Sequence, residues 1–216
     1  MVEVKNQFGN HLIFWVLALP FVFLLLMPMF MSPSAFVVHA EEVIFFSDLG
    51  ADTVAATETA NSWFQSWFVD SGIKRFFHAT FVNANLDLGR GLEYGTRAPT
   101  VARKASSLWN DGFWNILFRA AWRFSVLWPV LLSGIIAFGV PSFIDGLSVR
   151  AKKKYNYEVH NPLFFYASAH LVVLILGSAI TLLFLPWALE GLYIAAFFVL
   201  LASALWLAAA NFQSGL

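Results

Sequence analysis

Leu12-Ile-Phe-Trp-Val-Leu-Ala-Leu-Pro-Phe-Val-Phe-Leu-Leu-Leu-Met-Pro-Met-Phe-Met31 is a run of 20 residues without a charged side chain. About 20 mainly apolar residues, rising about 1.5 Å each as a helix, cross a hydrocarbon core of about 30 Å. The stretch therefore reads as a membrane span. Val38-His39-Ala40 further on resembles a signal-peptide cleavage site. A signal peptide, however, has an apolar core of about 7–15 residues behind a basic stretch. Here the run is longer and only Lys5 precedes it as a base, so it is read as a retained anchor.

Working outward, three more runs fit the same criterion. Phe124–Val140 follows Arg119 and Arg123, whose aliphatic stems are expected to snorkel. Leu163–Leu185 is broken only by small polar residues, Tyr166 and His170, and Leu192–Ala210 closes the set. Pro186 and Trp187 part the last two, with Glu190 at the start of the fourth, which predicts a tight helical hairpin. Bulk composition agrees. The chain is 59% hydrophobic and 12% charged, whereas a soluble domain averages about 45–50% apolar and about 25% charged. Too few polar side chains exist to clothe a soluble core of 216 residues. The nine Trp suit membrane–water interfaces.

The fold expected is an all-α membrane protein with four transmembrane helices and an extracytoplasmic helical insertion between spans one and two. Residues 1–31 form the N-terminal tail and first span, 32–116 the insertion, and 117–216 the second span, a basic cytoplasmic loop and the final hairpin. Orientation rests on that loop. Residues 141–161 carry Arg150, Lys152, Lys153 and Lys154 against Asp145 and Glu158, and the excess of cations marks the cytoplasmic side. Both termini then lie in the cytoplasm of a bacterial inner membrane. Arg103, Lys104, Arg119 and Arg123 oppose this orientation, but their segment exceeds the roughly 60 residues over which the rule works and holds nine acids against six bases.

Within the insertion, Asp52 or Thr53 is placed to cap a helix ending at Asp70-Ser71-Gly72. Ala56, Ala60, Trp63 and Trp67 form a stripe along it, widened by Phe64 and Phe68. Such a face either packs on the protein's own helices or lies on the membrane surface. Leu86–Gly95 reads as a turn, since its glycines do not match a dinucleotide fingerprint. A further helix is expected from about Pro99 through Trp109, Trp114 and Trp122, with Gly112 as a bend.

Candidate chemistry is sparse. His170 is the one ionisable side chain in the four apolar cores, with Tyr166 one turn earlier on the same face. The pair is either an intramembrane polar site or a histidine hydrogen-bonded between helices. His39 and His78 lack a second ligand at metal spacing, and Asp87, Glu93 and Asp111 match no catalytic pair. No cysteine is present, which excludes disulfides and thiolate chemistry. No enzyme, cofactor or metal site is expected. Arg150–Lys154 anchors topology near anionic lipid or docks an acidic partner. With Trp63, Trp67, Phe64 and Phe68, its cations Arg150, Lys152, Lys153 and Lys154 are the candidate lipid or partner contacts. Zero net charge gives no reason to expect direct nucleic-acid binding. Ala204 and Ala208, Gly134 and Gly139, and Gly177 and Ser178 are small residues at which helices can approach, within the chain or between copies.

Five features, in order, carry a resemblance. They are Phe68-Val-Asp-Ser-Gly72, Pro141-Ser-Phe-Ile-Asp-Gly-Leu147 with its basic run, Asn161-Pro162, His170, and Ala209-Ala-Asn-Phe-Gln213. Together the chain resembles the inner-membrane proteins of integrative conjugative elements and large conjugative plasmids. Genes for these lie beside that of the coupling ATPase, which delivers DNA to the type IV secretion channel. The resemblance implies a non-enzymatic accessory subunit of DNA transfer, near the coupling ATPase or other secretion-machine subunits, and carries over no catalytic residue. A small transporter or channel subunit is the alternative expectation, motivated by the four spans and His170.

Overall fold

The computed structural model describes residues 8–80, 98–156 and 162–212, with side chains from residue 104 onward in the second stretch and from 163 onward in the third. Among these residues the fold is helical throughout, without a strand. The expected turn at Leu86–Gly95 lies outside the described residues. Four helices are long and apolar enough to cross a membrane: Phe8–Phe30, Lys104–Tyr155, Leu163–Leu182 and Gly191–Ala210.

We label the helices α1 (Phe8–Phe30), α2 (Ala40–Asp48), α3 (Thr53–Phe64), α4 (Ile73–His78), α5 (Ala98–Gly134), α6 (Val140–Tyr155), α7 (Pro162–Leu182) and α8 (Gly191–Ala210). The chain forms two compact units. One comprises Met1–Pro20, Leu127–Leu182 and Leu189–Leu216, the other Phe21–Val126 with Leu183–Ala188.

In the first unit the small residues set the packing. A Cβ on Gly134 would fall on the Phe198 ring, one on Gly139 would lie 3.3 Å from Leu205, and one on Gly146 would lie 2.5 Å from the Trp206 carbonyl. Residue numbers rise together along both partners, so α5–α6 and α8 run parallel. The same holds for α1 and α7, where Gly177 faces Trp15 and His170 faces His11. Parallel pairing of first with third and second with fourth is what four alternating crossings produce. Ile175, Phe197, Leu201 and Ala204 form the core between these helices. Outward, Leu17, Ile136, Leu192 and Val199 are each at least 60% exposed, a surface suited to lipid.

Two prolines reshape these helices. Phe14–Ala18 and Ile135–Gly139 are π-helical and end two residues before Pro20 and Pro141. Proline lacks an N–H and its ring crowds the carbonyl four residues back. Wider i→i−5 bonds relieve this: Leu19 N–H donates to Phe14 O, and Val140 N–H to Ile135 O. Past Pro141 the helix continues to Tyr155. The expected basic loop is therefore helical over most of its length, a correction whose cause lies in its contacts with α8, described below.

In the second unit, α2, α3 and α4 lie on α5. Gly50 and Gly72 make the two corners at φ +83° and +79°, values that favour glycine. Asp52 caps α3 as expected, accepting from Ala55 N–H at 2.9 Å. The helical path runs on as a π turn to Asp70, at the expected stop. Trp122 Nε1–H donates to Thr57 Oγ at 3.0 Å, Phe64 packs on Phe118 and Trp114, and Phe77 stacks on Phe113. The helix expected at Pro99 covers Ala98–Gly134 without a break at Gly112. A side chain at Gly112 would meet Pro28 at 3.1 Å, so this glycine serves close approach.

Candidate functional site

The densest polar constellation was not marked as a site by the sequence reading. Arg119 and Arg123 stand one turn apart on one face of α5, and Glu42 reaches them from the first turn of α2. Arg123 Nε donates to one carboxylate oxygen at 2.6 Å, and Arg119 donates to the other at 2.7 Å. The side chains are 0–2% exposed. Two cations face one anion, and backbone carbonyls compensate the remainder. Arg119 donates to Ala35 O at 3.1 Å, Pro186 O at 2.8 Å and Trp187 O at 3.0 Å. Arg123 donates to Leu185 O at 2.8 Å and Trp187 O at 2.5 Å. His39 Nε2 lies 3.2 Å from Pro186 O and must be the donor, since a carbonyl only accepts.

The acceptors are available for a local reason. Pro186 ends helix propagation and disfavours helix in the residue before it. The carbonyls of 183–187 then lack helical donors, and guanidinium groups, with five fixed donors each, replace them. Arg119 Nε alone finds no acceptor among the described residues. The reading of Arg119 and Arg123 as snorkelling cations is thereby corrected: their charges are spent inside the protein. They also cease to count as loop cations against the orientation argued above. Sealed from solvent, this knot fastens three chain segments and offers no surface for a substrate.

The other unit brings together two motifs that are distant in sequence. Trp206 Nε1–H donates to Asp145 at 2.7 Å. Beside it, Gly146 exposes bare backbone to Trp206 and Ala209. One turn on, the Arg150 guanidinium covers the Phe212 ring at 5.0 Å, and Lys153 Nζ donates to Asn211 at 3.2 Å. Pro141–Leu147 and Ala209–Phe212 are thus two sides of one seam, which keeps α6 helical beyond the apolar run. Lysines in the last turn of α6 also suit its negative end. Of the four cations, Arg150 and Lys153 are fastened to α8, while Lys152 and Lys154 stay exposed.

The remaining candidates separate. Phe64 and Phe68 face inward onto Trp114. Trp63 packs on Phe124, and Trp67, stacked on Trp63, is 64% exposed. The inner stripe is Ala56-Ala60-Phe64-Phe68, at a spacing of four, because the wide π turn after Phe64 keeps every fourth residue in line. His170 meets the His11 ring at 4.7 Å and the Phe8 ring at 5.5 Å. Tyr166, 60% exposed, turns to Phe165 instead, so the two are not brought together. Among the described residues no three His, Asp or Glu side chains converge as metal ligands do.

The profile of the DtrJ-like family, described as IncC plasmid conjugative DNA transfer protein DtrJ-like, matches residues 39–213. The chain belongs to the DtrJ-like family. The match spans the buried knot, the α6–α8 seam and all five features that carried the resemblance to conjugative-element proteins. It thus ties these DtrJ-like features to conjugative DNA transfer. No curated protein and no solved structure matches the chain.

Proposed function

We propose that this chain is a non-enzymatic accessory subunit of a conjugative DNA-transfer machine of the type IV secretion kind, held in the bacterial inner membrane and associated with the coupling ATPase. The observation that carries the reading is the match to IncC conjugative DNA transfer proteins over residues 39–213. Four helices of spanning length and composition support the membrane assignment. The cation excess at the end of α6 favours a cytoplasmic position for that end. Phe8 and Phe212 lie at the same end of their unit, against His170 and Phe165, which puts both termini in the cytoplasm. Lys152 and Lys154 then supply a docking surface for an acidic partner.

The test is co-purification from a mild detergent. The coupling ATPase is expected to accompany the full chain, and deletion of the gene is expected to abolish DNA transfer. A deletion that leaves both complex assembly and transfer intact overturns the reading. The double reversal Lys152→Glu with Lys154→Glu is expected to weaken the association. Unchanged association with disturbed insertion would make these lysines a topology anchor only.

A further inference from the structure

A cleft of about 320 Å³ opens between α4 and α5, lined by Lys74, Arg75 and His78 on one side and Asn110 on the other. Both ion pairs among the described residues belong to Glu42, so Lys74 and Arg75 face the cleft without a described carboxylate partner. The nearby acids do not neutralise it: Asp70 accepts from Gln65 at 2.8 Å, and Asp111 is exposed. Asn110, 3% exposed, is held by the Trp114 indole, which donates to its Oδ1 at 3.1 Å. The floor of the cleft is thus rigid and polar, and its rim is cationic.

Two further observations say what kind of anion fits. The same corner presents Trp67, Ile73 and Phe76 outward, at 64%, 42% and 67% exposure. Aromatic side chains beside cations suit the boundary between headgroups and acyl chains. Depth agrees. Trp109 and Gly112 flank Asn110 on α5, and both touch α1 near its C-terminal end: Trp109 Nε1–H donates to Leu25 O at 2.9 Å, and Gly112 abuts Pro28. The cleft therefore lies level with the last turns of an apolar span, where headgroups begin.

We propose that this cleft seats the phosphate of an anionic phospholipid, with Lys74, Arg75 and His78 on the phosphate and Phe76 and Trp67 among the upper acyl chains. The test uses the full chain in nanodiscs of equal parts phosphatidylglycerol and phosphatidylcholine, with the photo-crosslinker benzoylphenylalanine in place of Phe76. Adducts are identified by mass. Phosphatidylglycerol adducts are expected in roughly tenfold excess, the scale set by two cations at an anionic surface. The variant Lys74→Gln with Arg75→Gln and His78→Gln is expected to crosslink at the bulk lipid ratio. All three side chains are exposed, so their loss leaves the fold intact. Adducts at the bulk ratio in the wild type, an unchanged excess in the variant, or adducts to the chain itself would each overturn the proposal. Inorganic phosphate that erases the excess where equal chloride does not would reassign the cleft to a free anion.

Discussion

Without the Glu42 carboxylate, two arginines no more than 1% exposed would face each other with only carbonyl oxygens for compensation. Removing one partner of a buried charge pair costs about 3–5 kcal/mol, because the other charge remains buried. Glu42→Gln is expected to lose stability on that scale in detergent, measured by thermal unfolding. The neighbouring Glu41 is exposed, so Glu41→Gln is expected to stay within about 0.5 kcal/mol of wild type. Equal effects from the two would refute the knot. Arg119→Lys and Arg123→Lys keep the charge but lose the planar fork, and unfolding temperatures between those of wild type and Glu42→Gln are expected. Nothing in the sequence separates Glu42 from Glu41. The partners of Glu42 lie 77 and 81 residues away, and the carbonyls completing the site have no residue-type signature at all.

The elements divide by how local their causes are. Asp52 as a cap and Gly72 as a corner were readable, because each acts within a few residues of itself. The four apolar runs were readable from length alone. Helix α6 was not, since Pro141, Gly146 and the lysines resemble a loop until α8 is beside them. Its seam is testable. A Cβ on Gly146 would sit 2.5 Å from a backbone carbonyl, which cannot swing aside. Gly146→Val is expected to cost about 1–3 kcal/mol, read as a lower unfolding temperature and a shifted Trp206 emission. Spin labels placed singly from Ser142 to Tyr155 are expected to show a mobility period of about 3.6 residues. A flat, mobile profile would restore the loop.

At the scale of the molecule, the candidate span from Lys104 to Tyr155 has 52 residues. That is roughly 78 Å of helix against a hydrocarbon core of about 30 Å, so much of it stands outside the lipid. The orientation proposed is checked by reporters. A fluorescent protein fused after Asn156 is expected to glow in the cytoplasm, and alkaline phosphatase fused after Thr80 to be active outside. The reverse result would invert the chain and remove Lys152 and Lys154 from any cytoplasmic partner.

The knot on Glu42 also bears on how the protein is made. Its acid and bases are synthesised by residue 123, but the carbonyls that receive the two guanidinium groups arrive only at 183–187. Until the ribosome has passed that point, an emerging chain carries two arginines with one counter-ion and few acceptors. Closure of this unit therefore waits for the third apolar helix to be inserted. Nascent chains arrested near residue 160 are expected to be cut readily by protease within residues 31–48, and chains arrested beyond residue 200, in which the turn has cleared the insertion machinery, to resist it.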